Sequence, residues 1–257
     1  MTLTVDRSDR VVICTLDDPE QRNALTARTA DRLVEALEGI EETDARCVLI
    51  RGDGDTFSAS GDVGAHVAFV QGELDKAGWR ERLDSTADAI RAVHDCPLPT
   101  VAAVDGPAFG EGACLALACD LRIASSEASI GFGFRRFGLA AAAGATYLLP
   151  RVAGRGVALE LLYTGELLGV DRAADLGLFT RVYPAASFTD DLAALLADLS
   201  TGPVDAMTTA KELVRADHDD LDVALAAEAG AQSRLADTDD FEEGVAAFAA
   251  RRDPRFE

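Results

Sequence analysis

The residues whose types and spacing could do chemistry lie in DGPAFGEG, where Gly106, Gly110 and Gly112 surround Glu111. Glycines spaced this closely let the main chain turn tightly. N–H groups left free at a helix start, where the macrodipole favours negative charge, can hold an anion, a phosphate or a developing oxyanion. Glu111 adds an ionisable side chain at the same place. At a helix start its charge suits the dipole and it can face solvent; alternatively it reaches a pocket and acts as an acid or base. A second small-residue turn, FSASGDV at 57–63, also opens a helix, with an acidic residue, Asp62, expected in its first turn. Two such turns could aim two amides at one point.

Each turn needs regular elements to hold it. Residues 100–104 read as a buried strand before the glycines, 113–118 as a short apolar helix and 121–124 as a second strand. RCVLIR at 46–51 is a strand leading through Gly52 and Gly54 to the other turn. Upstream, 11–16 is a strand broken by Asp17, Asp18 and Pro19. Thr26 then reads as the N-cap of a helix through Ile40, with Leu33, Val34 and Leu37 on its apolar face. Residues 64–95 carry a helical pattern in Leu83, Ala87, Ile90 and Val93; within them His66 is expected to be a lone exposed histidine and Trp79 a packing residue. Strands alternate with helices over the first 180 residues, an α/β pattern. Beyond 186 only helices are expected, at 187–199, 203–216, 221–235 and 240–252, with Pro203 at a first helical position.

On these motifs the chain resembles the enoyl-CoA hydratase/isomerase (crotonase) superfamily. FSASGDV matches its F-[SC]-A-G-x-D-[LI], and DGPAFGEGACLALACD its N-G-x-x-x-G-G-G-x-x-L-A-x-x-C-D. DDPEQRNAL from Asp17, the Gly138 to Gly154 segment, AADLGLFTRVYP from Ala173 and FEEGVAAFAARRDPRF from Phe241 follow in the family's order. The resemblance implies a spiral of ββα units over 1–186 that binds acyl-CoA, and a C-terminal helical region, 187–257, that builds a homotrimer or a dimer of trimers. It implies an acyl-CoA thioester as substrate, no cofactor beyond the coenzyme A of that thioester, and oxyanion donors at the amides of Gly61 and Glu111. It also implies substrate contacts from Arg22, Ala24, Ala59, Ser60, Asp62, Val63, Phe109 and Gly110, with Arg22 near the coenzyme A phosphates.

Departures from the family pattern concern the acids. Ser60 replaces a glycine before the first donor, and Glu111 replaces the middle glycine of the second turn. Where the family's hydratases carry two glutamates, this chain has Cys114 and Phe134; where some isomerases carry an aspartate, it has Ala142. No Asp or Glu occurs between Ala128 and Glu160, so a slipped register supplies none. A thiol at Cys114, among Ala113, Leu115 and Leu117, is expected to have a raised pKa and to serve poorly.

Three functions are compatible with this. The first is an enoyl-CoA hydratase- or isomerase-type enzyme of acyl-CoA metabolism with Glu111 as replacement acid/base. The second is other oxyanion-hole chemistry, such as decarboxylation of a malonyl-type thioester held by Arg135 or Arg136. The third is a non-catalytic acyl-CoA-binding paralogue, whose acyl cavity would be closed by Phe134 and Phe137.

Composition narrows the setting. The formal net charge is −21 and Lys76 and Lys211 are the only lysines, a pattern suited to molar salt, where the Debye length is about 3 Å. Nucleic acid is excluded as a partner by that charge. No apolar run is long enough for a membrane span and MTLTVDRSDR has no signal-peptide core, so a soluble cytoplasmic protein is expected. The five cysteines lie in apolar patterns without metal-ligand spacing and are expected to be reduced and buried, with no metal site.

Overall fold

The computed structural model describes residues 2–256. Its backbone is a six-stranded sheet in the order β1 (Leu3–Ser8), β2 (Val11–Leu16), β3 (Cys47–Gly52), β4 (Thr100–Val104), β6 (Leu121–Ser125) and β9 (Arg181–Tyr183). β1 and β2 form an antiparallel hairpin, and every later pairing in this sheet is parallel. A smaller sheet joins β5 (Pro107–Phe109) to β7 (Ser129–Gly131) in parallel and β7 to β8 (Leu167–Gly169) in antiparallel fashion.

The continuous apolar runs in the central strands follow from burial on both faces, since successive side chains point opposite ways. Val48, Ile50, Ala102 and Val104 face the larger core, among α1 (Ala27–Leu37), α3 (Lys76–Asp95) and α4 (Glu111–Ala118). Cys47, Leu49, Val101 and Ala103 face the other side, where Phe188, Leu192 and Leu195 of α8 (Phe188–Thr201) cover them. Buried Arg46 ties the end of α8 to the sheet by donating to the Gly202 carbonyl at 2.8 Å.

The mixed α/β class is as expected; the boundaries shift for local reasons. Thr26 caps α1 by accepting from the Thr29 amide, but the helix stops at Leu37 because Gly39 turns into the left-handed region. α4 begins at Glu111, two residues before the expected start, because the preceding turn is itself paired as β5. Residues 64–95 divide into α2 (Val63–Gln71) and α3, separated by the left-handed Gly72. The remaining helices are α5 (Ala145–Ala153), α6 (Arg155–Thr164), α7 (Val170–Asp175), α9 (Val204–Arg215), α10 (Leu221–Leu235) and α11 (Asp239–Ala250). Pro203 is the residue before α9 rather than its first residue. Among the described residues no helix is long and apolar enough to cross a membrane.

Candidate active site

Two β-to-α turns are stitched together at one end of the sheet. Ser58, wholly buried, donates its amide to the Pro107 carbonyl at 3.3 Å and accepts from the Phe109 amide at 2.9 Å. The next residues are fixed from the other side, because the Ala59 amide donates to the Arg22 carbonyl and the Leu25 amide to the Ser60 carbonyl. Asn23 organises this corner: its side-chain amide donates to the carbonyls of Asp53 and Thr56, and its own carbonyl accepts from the Ser58 hydroxyl. Sequence reasoning assigned Asn23 no role; its signal was its place directly after Arg22 in the matched DDPEQRNAL, and its burial is seen only in the fold.

The turns meet closely enough that side chains must be absent. A Cβ at Gly112 would collide with Ser58, and Gly110 lies against Ser60 with a φ of +58°. Ser60 itself has a φ of +125°, a region costly for any residue with a Cβ. After Gly61, the Asp62 carboxylate accepts from the Ala65 amide and caps α2. At the second turn Glu111 is the first residue of α4, so its amide has no partner within the helix. Neither it nor the Gly61 amide donates to another backbone carbonyl among the described residues.

Glu111 does not face solvent. Its side chain is buried and meets the equally buried Arg82 of α3 in a two-point ion pair, Nη1 donating to Oε2 at 3.2 Å and Nη2 to Oε1 at 3.1 Å. The guanidinium also lies 5.1 Å from the centre of the Trp79 ring. Removing one member of such a pair typically costs about 3–5 kcal/mol, because the other charge is left dry and uncompensated.

Glu111 and Arg82 line a cavity of about 180 Å³, and Glu111 is the one carboxylate among its lining residues. Ser60, Phe109 and Gly110 form one side; Trp79, Leu83, Phe134, Phe137, Leu139 and three alanines, Ala140 to Ala142, form the rest. His66 is half-buried in this wall instead of exposed, its ring between Trp79 and Phe137, with Nδ1 2.8 Å from the Asp62 carbonyl. Trp79 likewise does more than pack. Aromatic contact accounts for both: His66 meets Trp79 at right angles, 5.0 Å between ring centres, and Phe137 at a tilt, 4.8 Å, while its Nδ1 finds a carbonyl.

The other expected site residues divide into three groups. Ser60, Phe109, Gly110 and Phe134 are at the cavity, Phe134 as an apolar wall. Cys114 is fully buried outside the lining, its thiol pointing to the Ala142 carbonyl and pushed well above the usual range, first by burial and then by the Glu111 charge. Arg22, Ala24, Ala59, Asp62 and Val63 form the outer loop; Arg22 and Val63 are exposed. Arg135 and Arg136, considered as carboxylate holders, point elsewhere. Arg135 donates to the Thr164 carbonyl and Arg136 to the Gly165 carbonyl, with the Arg136 guanidinium 4.9 Å from the centre of the Phe109 ring, and neither arginine lines the cavity. No group of three or more metal-ligating side chains occurs among the described residues.

The profile of the family described as enoyl-CoA hydratase/isomerase matches residues 6–257. The chain is 36% identical over 256 residues to a probable enoyl-CoA hydratase of Rhodobacter capsulatus, covering 99% of this chain and 97% of that one. It is 33% identical over 249 residues to the 1,2-epoxyphenylacetyl-CoA isomerase of Escherichia coli, covering 96% and 94%. Among solved structures, an enoyl-CoA hydratase of Bacillus anthracis superposes with a TM-score of 0.93 at 29% identity, over 100% of this chain and 99% of that one.

Proposed function

The chain belongs to the enoyl-CoA hydratase/isomerase family, and on that premise we propose that it binds the thioester carbonyl of an acyl-CoA between the Gly61 and Glu111 amides and uses the Glu111 carboxylate to move a proton. The observation that carries the reading is that Glu111 supplies both a free amide and the single carboxylate in the cavity. Removing the α-proton places charge on the carbonyl oxygen, where each donor of an oxyanion hole is worth about 100- to 1000-fold in rate.

One carboxylate favours a proton shift over hydration. In a 3-enoyl thioester it takes the proton from C2, the double bond moves into conjugation, and the same group returns the proton at C4; atoms and charge balance without water. Hydration needs a second group to orient water, and the two family glutamate positions hold Cys114, buried away from the cavity, and Phe134. Decarboxylation loses its proposed anchors, since Arg135 and Arg136 face away from the cavity. The cavity is open despite Phe134 and Phe137, which favours an enzyme over a binding protein. For the coenzyme A phosphates we propose exposed Arg22, and for the assembly a trimer through the C-terminal helices, which leave Phe248 87% and Leu221 71% exposed in the single chain.

The test is mass-spectrometric product detection with the purified protein in high potassium chloride, offering crotonyl-CoA, a 3-enoyl-CoA and methylmalonyl-CoA. The 3-enoyl-CoA should be isomerised, and Glu111→Gln should slow this by about 100- to 10,000-fold. Undiminished turnover by the variant would remove Glu111 from the chemistry. No turnover of any substrate with acyl-CoA binding retained would turn the reading towards a binding protein.

A further inference from the structure

Gly61 and Glu111 stand against each other: a Cβ at Gly61 would overlap both carboxylate oxygens of Glu111. The carboxylate therefore lies on the backbone of one proposed oxyanion donor, in a cavity lined mostly by apolar side chains. A bare negative charge there would oppose a second one forming a few ångströms away, and the dryness of the site makes that opposition large. Among the described residues, the only side chain that bonds either carboxylate oxygen is that of Arg82. Its Nε, by contrast, is buried with no acceptor among the described residues, so the arginine's placement satisfies Glu111 better than it satisfies itself.

We propose that Arg82 is a positioning residue: its planar fork holds the Glu111 carboxylate over Gly61 and cancels its charge, which lets an acid/base group and an oxyanion site share one corner of the cavity. This rests on the enolate reading above. It also links three sequence features: the glycine at 61 makes room for the carboxylate at 111, and the arginine at 82, from a different helix, makes that carboxylate tolerable. A lysine could supply the charge but not the two-point geometry.

The experiment uses the whole protein and acetoacetyl-CoA, whose enolate is followed by its ultraviolet absorbance, with Arg82→Met, Arg82→Lys and the double variant Arg82→Met/Glu111→Gln, each checked by circular dichroism melting. Arg82→Met should weaken enolate binding by about tenfold or more. The double variant should regain it, because the charge leaves with its partner, while isomerisation stays lost. Arg82→Lys should bind within a few-fold of the unaltered protein yet show a kcat lower by about tenfold at an unchanged KM. Enolate binding by Arg82→Met equal to the unaltered protein, or a double variant as weak as Arg82→Met, overturns the inference by reducing Arg82 to packing. If Arg82→Met does not fold, the other two variants decide: an unchanged kcat in Arg82→Lys, or a double variant that fails to bind enolate, overturns it equally. The enolate reading fails separately. No enolate band in the unaltered protein overturns that reading and this inference together, whereas a Glu111→Gln variant with normal turnover overturns only the acid/base role.

Discussion

At the scale of single residues, the site is built from exceptions to ordinary backbone and burial rules. Ser60 occupies a conformation suited to glycine, so Ser60→Gly should raise stability by about 1 kcal/mol, read as a higher melting temperature. Gly61 is required by its neighbour: Gly61→Ala should cost about 1–3 kcal/mol by overpacking, and the loss should largely vanish in a Glu111→Gly background, where the space is empty. A double-mutant cycle showing strict additivity would disprove that coupling. All five cysteines are buried; burial pushes Cys47 up to about 11 and Cys14 to about 12. A thiol reagent at pH 8 should therefore label none in the native protein and all five after unfolding.

At the scale of elements, the helix–turn junctions hold the corner of the candidate site and a second polar cluster holds α9. Asp120, which follows α4, accepts from the Thr100 amide and hydroxyl and pairs with Lys211 and Arg215 of α9. Lys211 also donates to the Leu98 carbonyl. Asp120→Ala should lower stability and raise amide exchange first in α9, because the two cations lose their shared acceptor. At the far end, the Arg252 fork and the Arg255 amide hold Glu243 down to about 2. A depressed carboxylate adds stability above its unfolded pKa and loses it as pH falls towards the folded one. The end of α11 should thus fray between about pH 4 and 2, an effect weakened by salt because the pair is at the surface. Much of this level was legible in the sequence: the strand runs and the Thr26 cap depend on near neighbours, whereas Asp62, expected in the first turn of α2, is the residue that caps it. β5 was not, since its three residues become a strand only by pairing with β7.

At the scale of the whole molecule, charge and assembly dominate. Of the two lysines, Lys211 is committed to its ion pair with Asp120, which leaves Lys76 as the exposed one on a surface otherwise supplied with arginine, aspartate and glutamate. We propose adaptation to high salt; the melting temperature should rise steadily from low to molar potassium chloride as self-repulsion is screened, and a flat response would refute it. Sedimentation should give a mass of three chains of 27.0 kDa, or twice that for paired trimers; a lone chain would remove the role assigned to the exposed face of the C-terminal helices.

The sequence by itself determined the α/β layout, the family and both turns, because each depends on residue type at a short, ordered spacing. It left Glu111 with two orientations, took His66 for an exposed residue and offered Arg135 and Arg136 as anion holders. Tertiary structure oriented the first two by bringing α3 across the second turn, so that Arg82, 29 residues away in sequence, meets Glu111 and Trp79 meets His66, and the last two by setting the carbonyls of Thr164 and Gly165 beside them. Spacing along the chain is silent on such a contact: an arginine on a helix face reads as solvated until packing removes the solvent, and only then does its charge select a partner.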